Sequence, residues 1–273
     1  MNPVSLHQGD RGMSLVELLI AIVIIGIAVS VAMTALDINL DDSRCTRTEQ
    51  EMDMLLAAIA GDPNRMEGGI RSDFGYVGDV GSFPSDLLAL SVNPGLATWD
   101  GPYISSHWDE NPGGFLRDEW GKQYVYAGGT TIVSTGGDNP VTKSLPGTLS
   151  SYLVNEVRGT IVDAGGAPPG LLYTDSVVLE INYPRGQGAV ATTVTHPDPA
   201  GHFTLDSLPV GRHKLTIVFE PKNDTLLRFL TVLPSHRSSS VVTYAFGSPH
   251  FQAAPAYSAS SGGLIPETES ARP

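Results

Sequence analysis

The chain has 273 residues, with 29 acidic and 16 basic side chains and a single cysteine, Cys45. This length predicts about two domains. One cysteine excludes a disulfide framework, and a formal charge of −13 argues against a nucleic-acid partner, which would need a basic protein face. The charge is uneven, because residues 37–151 carry 17 acids and 7 bases whereas residues 152–246 carry 8 and 7. This difference in charge composition indicates two structural units.

The segment from Met13 to Leu36 is apolar over 24 residues, with one ionisable side chain, Glu17, and no proline. As a helix it would measure about 36 Å, enough to cross a hydrocarbon core of about 30 Å. A signal peptide or a plain membrane anchor would explain the hydropathy alone. However, the small residues that a signal peptidase needs lie inside the apolar run, and the polar leader ends in Gly12 directly before it. The segment is therefore predicted to remain in the mature protein.

Glu17 is predicted to be functional, because a carboxylate in a membrane segment costs about 3 kcal/mol. Its partner should be a cation in the same apolar layer. Cleavage between Gly12 and Met13 would create one, since the new α-amino group is positively charged at neutral pH. The carboxylate of one subunit would then neutralise the amino terminus of a neighbour that is shifted along a helical stack.

This N terminus resembles that of type IV pilins and type II secretion pseudopilins. The matching residues are Arg11, Gly12, Met13, Glu17 and Gly26. Thr34 stands where many family members have proline. The resemblance implies cleavage after Gly12 by a prepilin peptidase, and N-methylation of Met13. It also implies assembly with copies of this chain and other pseudopilins on a secretion assembly platform. The subunit would lie in the inner membrane with periplasmic heads, and would assemble into a periplasmic or cell-surface filament.

The helical pattern becomes amphipathic after Leu36 and continues to Ala60, where Gly61 and the following Asp-Pro pair end it. From Met13 to Ala60 such a helix would measure about 72 Å. Half of it is predicted to lie in the lipid bilayer, and half to form the spine of a globular head. Cys45 lies on the outer half and is expected to be a packed or partly exposed thiol without a redox role.

Aromatic residues and turns dominate the following stretch. Alternation places Tyr124 and Tyr126 on one face of a short hairpin and Val125 on the other. The order of the motifs is similar to that in the major pseudopilin of type II secretion, and the resemblance covers residues 13–140. It implies an α+β pseudopilin head, placed at residues 37–150. The motifs are WDGPYI from Trp99, DEWGKQYVY from Asp118 and TIVSTGGD from Thr131.

In that family the loop after the hairpin binds calcium. Ser134 and Asp138 match the start of the loop, but the residues from there to Tyr152 contain no second acid and include Lys143. Calcium takes roughly six to eight oxygen ligands. A calcium site is therefore predicted only if Glu156 or an acid from elsewhere in the head completes it, and an ordinary surface turn is the alternative. No other cofactor is predicted.

The last part of the chain predicts an all-β antiparallel sandwich over residues 151–246, preceded by a linker or loop at 140–152. Strict alternation directs four apolar side chains inward, those of Phe203, Leu205, Leu215 and Ile217. Few large apolar residues follow Gly247, which predicts a disordered tail over 247–273. Seven β-rich runs begin at Val157, Ser176, Ala189, Gly201, Arg212, Leu226 and Ser240.

Two short segments of this region resemble the sequences of carboxypeptidase regulatory-like domains. They are GTIVD from Gly159 and DPAGHFTLDSLPVG from Asp198. The resemblance implies a transthyretin-like sandwich that acts as an accessory module and carries no protease chemistry.

Enzyme signatures are absent from the sequence: it has no Gly-x-Ser-x-Gly, no His-Glu-x-x-His and no phosphate-binding glycine loop. The chain is therefore expected not to be an enzyme. Incidental polar positions are expected for four histidines on different predicted strands and turns, His196, His202, His213 and His236.

The predicted fold is α+β, with a leader at 1–12 and a membrane-spanning polymerisation helix at 13–36, followed by the head, the sandwich and the tail. The predicted function is a structural subunit of a type II secretion pseudopilus that supports protein secretion. The alternative is a type IV pilus-type subunit that displays the sandwich as an adhesion or cargo-binding module. A membrane-anchored hydrolase would need a catalytic constellation that the sequence lacks.

Overall fold

The computed structural model describes residues 14–104, 113–234 and 242–251. The architecture is α+β, as predicted, with one long helix followed by β-rich structure. The chain divides into two compact units. The first holds the described residues up to Leu153 together with Pro184–Val190 and Pro209–Gly211. The second holds Val154–Tyr183, Ala191–Leu208 and the described residues from Arg212 onward.

Helix α1 runs without interruption from Leu15 to Ala60, and its 46 residues measure about 69 Å. Gly61 ends the helix with a φ of 79°, in a position where a Cβ would collide with the backbone of Asp73. The Arg71 guanidinium covers this end, because its Nη2 donates to the carbonyl oxygens of Ala60 at 2.7 Å and Gly61 at 3.1 Å. The last carbonyls of a helix have no partner inside the helix, so Arg71 satisfies one of them.

The second half of α1 forms the spine of the first unit. Its side chains Leu55 and Ile59 are fully buried, together with Val77 from helix α2, which spans Gly75–Val80. Two short strands, β1 (Met66–Glu67) and β2 (Ile70–Arg71), pair between the two helices. Single 3-10 turns follow at Leu87–Leu90 and Gly114–Leu116. The largest fully buried side chains of this core are Met52, Leu55, Ile59, Leu90, Phe115 and Ile132.

A three-stranded antiparallel sheet completes the first unit, with strands β3 (Val125–Tyr126), β4 (Thr131–Ser134) and β5 (Val141–Ser144). Tyr124 is 7% exposed and Val125 is 56% exposed, as the predicted alternation requires. Strand β4 lies in the middle, with Val133 opposite Val125 and Ile132 opposite Lys143.

The prediction that residues 140–152 form a linker or loop was wrong. This stretch contains strand β5 and the start of helix α3, which spans Leu149–Leu153. Tyr152 is buried, its ring meets Phe83 edge-on, and its hydroxyl donates to the carbonyl oxygen of Pro146 at 3.0 Å. The Ser, Gly and Pro residues that suggested a linker therefore belong to tight turns between packed elements.

Each of the seven predicted runs of the sandwich region forms one strand. The strands are β6 (Asn155–Val162), β7 (Val177–Pro184), β8 (Val190–Thr195), β9 (His202–Leu208), β10 (Gly211–Phe219), β11 (Asp224–Val232) and β12 (Val242–Ala245). Strands β11, β10, β7 and β8 form a four-stranded sheet in this order, and β12, β6 and β9 form a three-stranded sheet. A short helix, α4, spans Gly170–Tyr173.

Side chains from both sheets form one core. The four residues predicted to point inward, Phe203, Leu205, Leu215 and Ile217, are between 0% and 4% exposed, which confirms the predicted alternation. Strand β10 is antiparallel to β7, and β6 is antiparallel to β9. Strand β12 departs from this pattern, because it pairs parallel to β6 at the edge of the smaller sheet.

The chain stays packed beyond β12, where the sequence predicted a disordered tail from Gly247. His250 and Phe251 are only 7% and 4% exposed, and both rings lie against Phe219. The predicted start of the tail was therefore wrong, because residues up to Phe251 belong to the sandwich. Residues 252–273 lie outside the described residues.

Asp163 holds this last segment in place. Its Oδ2 accepts the backbone N–H groups of His250 at 2.8 Å and Phe251 at 2.9 Å. Its Oδ1 accepts those of Gly165 at 2.8 Å and Ala167 at 3.0 Å. Burial raises the pKa of Asp163, but the four hydrogen bonds lower it by more, so that the pKa lies below its ordinary value.

Candidate functional site

The first half of α1 is an exposed apolar surface. The large apolar side chains from Leu15 to Leu36 are between 48% and 80% exposed. In the part of the chain that the structure describes, α1 is the one helix long and apolar enough to span a membrane. None of its most apolar 18-residue window is buried by the other described residues. An exposed apolar surface of this extent marks a site of contact with lipid or with other apolar helices.

Glu17 lies in the first turn of this helix and forms a capping box with Ser14. The Ser14 hydroxyl accepts the backbone N–H of Glu17 at 3.2 Å, and the backbone N–H of Ser14 donates to Glu17 Oε2 at 3.4 Å. The sequence analysis missed Ser14, although Ser-x-x-Glu before an apolar run is the signal for this motif. The predicted cleavage site, Gly12 and Met13, lies outside the described residues.

The helix passes from its apolar half into the head without a break at Thr34. The Thr34 hydroxyl donates to the carbonyl oxygen of Ser30 at 3.1 Å, and Asn39 Nδ2 donates to that of Ala35 at 2.7 Å. A Cβ at Gly26 would meet no other part of the described chain within 4 Å, so no contact among the described residues requires a glycine there.

Three polar tethers fix the β3–β5 region of the head to α1. Trp120 Nε1 donates to Asp41 at 2.7 Å, and the Tyr124 hydroxyl donates to Glu51 at 2.9 Å. Lys143 Nζ lies 3.1 Å from Asp53 Oδ2 and 3.6 Å from a carboxylate oxygen of Glu49. All the acceptors are carboxylates, which make the stronger class of hydrogen bond. The tethers extend from Asp41 to Asp53, more than three helical turns.

Two of the three donors have pKa values above their ordinary values. Burial, with the neighbouring Glu51 carboxylate, raises the pKa of Tyr124 well above its ordinary value. The hydrogen bond to Asp53 raises the pKa of Lys143. Both shifts favour the protonated donors, so the tethers persist throughout the neutral pH range.

The predicted calcium residues have different environments. Ser134 is 1% exposed, and its hydroxyl donates to Asp118 Oδ2 at 2.6 Å. The other oxygen of Asp118 accepts the backbone N–H groups of Trp120 at 3.1 Å and Lys122 at 2.8 Å. This network fixes the turn that aims the Trp120 indole at α1, and it engages the hydroxyl of Ser134.

Asp138 is exposed and lines a cleft with acids of α1, among them Asp37 and Asp42. Glu156, which was expected to complete a calcium site, lies 2.6 Å from the Arg158 guanidinium. Among residues 14–104, 113–234 and 242–251, no group of three or more His, Cys, Asp or Glu side chains is arranged to hold a metal ion. Calcium binding through Ser134 and Asp138 stays a prediction.

The Gly-Pro-Tyr element packs as a structural unit in the head. Trp99 Nε1 donates to the carbonyl oxygen of Ala89 at 2.8 Å, and the Tyr103 hydroxyl donates to Asp79 Oδ2 at 3.0 Å. Burial raises the pKa of Asp79 to about 6, although the hydrogen bond from Tyr103 opposes this shift. The ring of Tyr76 meets Tyr103 edge-on at 5.6 Å.

The histidines of the second unit have local partners. His196 Nδ1 lies 2.9 Å from the carbonyl oxygen of Val177, and His202 Nδ1 lies 3.1 Å from the Thr160 hydroxyl. His213 is buried beside the ring of Tyr183. His236 lies outside the described residues. Cys45, on the outer half of α1, is a half-buried free thiol.

The prokaryotic N-terminal methylation motif matches residues 8–33. The matched range includes Gly12, Met13, Glu17 and Gly26, and it ends within the apolar half of α1. No curated protein matches the chain. The motif implies processing by a prepilin peptidase and assembly with other pilin-like subunits. Together with the exposed apolar helix, it supports a type IV pilin-like subunit.

Proposed function

We propose that this chain is a structural subunit of a type II secretion pseudopilus, cleaved after Gly12 and assembled through the apolar half of α1. The observation that carries the proposal is the methylation motif at residues 8–33, placed on a helix whose apolar surface is unburied within the chain. The subunit would have no catalytic role. It would reside in the inner membrane before assembly, with its two units in the periplasm.

Polymerisation moves the apolar helix from lipid into a bundle of like helices. Both environments are apolar, so the transfer itself supplies little driving force. Glu17 changes this balance, because its carboxylate costs about 3 kcal/mol in lipid and is neutralised beside a cation. Cleavage before Met13 supplies that cation as the α-amino group of a neighbouring subunit.

The head would follow every displacement of the helix. The tethers from Trp120, Tyr124 and Lys143 attach the head along more than three turns of α1. Apolar packing of Leu55 and Ile59 adds to them. Such an attachment suits a subunit that transmits mechanical force, because a push on the apolar half of α1 reaches the head without an intervening flexible joint.

The proposal is tested by separating the charge of Glu17 from its role in the capping box. Glutamine serves at this position of a capping box as well as glutamate does, so Glu17→Gln keeps the cap and removes the charge. Ser14→Ala does the reverse, and is expected to cost about 1 kcal/mol of helix-end stability. Glu17→Ala removes both.

We expect all three variants to insert into the membrane and to be cleaved by a prepilin peptidase. Glu17→Gln and Glu17→Ala should be lost from sheared filaments, whereas Ser14→Ala should still be incorporated. Normal incorporation of Glu17→Gln would contradict the pairing of Glu17 with a neighbouring amino terminus.

Deletion of residues 154–183, 191–208 and 212–273, with short linkers that keep Pro184–Val190 and Pro209–Gly211 of the first unit, distinguishes secretion from adhesion. For a pseudopilin with an accessory sandwich, the remaining head should still assemble and support protein secretion. In an adhesive or cargo-binding pilus, the same deletion should abolish binding while filaments persist. The resemblance of the head motifs to the major pseudopilin favours the first result, and neighbouring genes for a secretion ATPase and a secretin would agree with it.

A further inference from the structure

Strand β8 (Val190–Thr195) lies at one end of the four-stranded sheet. Its inner side is joined to β7, where Thr192 Oγ1 donates to Asn182 at 2.7 Å and the hydroxyl groups of Thr193 and Tyr183 lie 3.2 Å apart. Within the described residues no strand lies along its outer side. An edge strand presents backbone N–H and C=O groups to any extended chain that comes beside it.

The other edge strands of the sandwich carry features that discourage such pairing. Strand β11 contains Asp224 and Arg228, and β9 contains Asp206 followed by Ser207, whose φ is 59°. Strand β12 has only four residues. Charges, backbone irregularities and short length are the usual means by which proteins protect sheet edges.

Strand β8 has none of these features. Its sequence, VATTVT, has no charge, no proline and no residue of positive φ. Val190 is 62% exposed and Val194 is 56% exposed, and β-branched residues of this kind favour extended pairing. An uncharged, exposed edge with this composition is a pairing site rather than a protected edge.

We propose that β8 is a self-association edge, at which β8 of a second copy of this chain pairs antiparallel across a two-fold axis. The contact joins two four-stranded sheets into one of eight strands. It does not use the apolar helix, and therefore goes beyond the proposed function.

Symmetry favours a second copy as the partner. A two-fold contact places a strand opposite its own sequence, so a charge near its centre would face an equal charge; β8 has none. A two-fold axis perpendicular to the sheet also places the core-facing surfaces of both copies on the same face of the joined sheet. Val190, Thr192 and Val194 of both copies would then lie on one outer face.

The register is limited further by the pleat of the strands. Directly opposite residues of an antiparallel pair point to the same face of the sheet. One residue of β8 must therefore lie opposite its own copy, with the two-fold axis midway between the two. The two central registers place the axis at Thr192 or at Thr193. In the first, Val190 lies opposite Val194 and Thr192 opposite its own copy.

Cysteine cross-linking tests the contact in the full-length chain. In a Cys45→Ser background, Thr192→Cys or Thr193→Cys should give a disulfide-linked dimer on mild oxidation in membranes. Thr225→Cys, an exposed position on the opposite edge strand β11, is the matched control and should give little dimer. Equal cross-linking at all three positions would overturn the proposal, as would cross-linking of β8 cysteines only to a different protein.

Introduced charges test whether the partner of β8 is a second copy of the chain. Association is measured by sedimentation of the purified full-length chain in detergent. Thr192→Lys and Thr192→Glu should each weaken dimerisation at least about fivefold, which corresponds to about 1 kcal/mol. An equimolar mixture of the two should restore it, because opposite charges then face each other. The same substitutions at Thr225 should change nothing. Wild-type dimerisation of both Thr192 variants, or a mixture that does not restore association, would overturn self-pairing.

The experiments on β8 can fail without contradicting the proposed function, and the reverse is also true. Cleavage after Gly12 and the effect of Glu17→Gln on filaments are measured on the apolar helix, and the β8 variants leave that helix unchanged. A chain that is processed and incorporated but shows no β8 cross-link would contradict only the self-association edge.

Discussion

The packed segment after β12 leads to a quantitative prediction about the sandwich. We expect a fragment of residues 154–251 to unfold cooperatively, and one of residues 154–246 to be much less stable. The shorter fragment lacks Phe251, which is 4% exposed in the sandwich, and the two backbone N–H groups that bind Asp163 Oδ2.

The loss can be estimated from these contacts. Burying a phenylalanine side chain contributes about 2 kcal/mol. Each hydrogen bond to a carboxylate contributes about 1.5 kcal/mol. Together they give roughly 5 kcal/mol, a large share of the roughly 5 to 15 kcal/mol that stabilises a typical domain. The urea midpoint should fall by about 2 to 3 M for a fragment of this size.

Urea unfolding followed by circular dichroism provides the measurement, and Asp163→Ala provides a double-mutant cycle. In the longer fragment Asp163→Ala leaves four backbone N–H groups without their acceptor, whereas in the shorter fragment only two remain to lose it. The substitution should therefore cost about half as much in the shorter fragment. Equal stability of the two fragments, or equal cost of the substitution in both, would refute the role assigned to residues 247–251.

Three further predictions concern single polar groups. Trp120→Phe removes the donor to Asp41 and should lower the unfolding free energy of the full-length chain in detergent by about 2 kcal/mol, measured by urea titration; an unchanged midpoint would contradict the tether. Asp79→Asn should stabilise the head much more at pH 7.5 than at pH 4. The raised pKa of Asp79, about 6, means that wild-type stability falls as pH rises from about 4 to 6 and then stays level; a pH-independent effect would argue against this. The contribution of Asp163, whose pKa is lowered, is present above about pH 4 and is lost as the pH falls from there through its folded-state pKa. Asp163→Ala should therefore lessen the acid sensitivity of the 154–251 fragment in pH titrations.

The elements that sequence predicted well are those whose pattern is local. A segment of 24 residues with one ionisable side chain predicts a long apolar helix by composition alone. Gly61 marks the end of α1 because few other residues tolerate its backbone conformation. The seven strands of the sandwich were found for the same reason, since alternation places Phe203 and Leu215 inward over five or more residues.

The two errors concern segments whose order depends on distant partners. Strand β5 reads as a linker because it has four residues, and its Lys143 finds Glu49 and Asp53 about ninety positions earlier. The segment around Phe251 reads as a tail because its anchor, Asp163, lies 88 positions away. Composition reports how much apolar surface a segment has, but not which carboxylate its backbone will meet.

In the candidate site, too, local features were predictable from the sequence and contacts between distant residues were not. The apolar surface was predicted because it is a local feature, whereas the tethers from Trp120 to Asp41 and from Tyr124 to Glu51 join residues more than seventy positions apart. The role of Glu17 in assembly stays a prediction. The capping residue Ser14 is a different case, because its signal was local and readable. Glu17 was interpreted only as a charge, although its carboxylate also accepts a hydrogen bond at the start of the helix.

The position of the first tether indicates how much of α1 is available for assembly. Asp41 binds Trp120 little more than one turn after the apolar run ends at Leu36, so the free surface is Leu15–Leu36. These residues measure about 33 Å, close to the thickness of a hydrocarbon core. The same surface therefore suits lipid and a helix bundle equally well, and its area cannot select between them. Selection must come from the groups that differ in the two environments. Gly26 permits closer helix contact, and Glu17 gains a cation, so Glu17→Gln should shift subunits from filament to membrane without altering the helix.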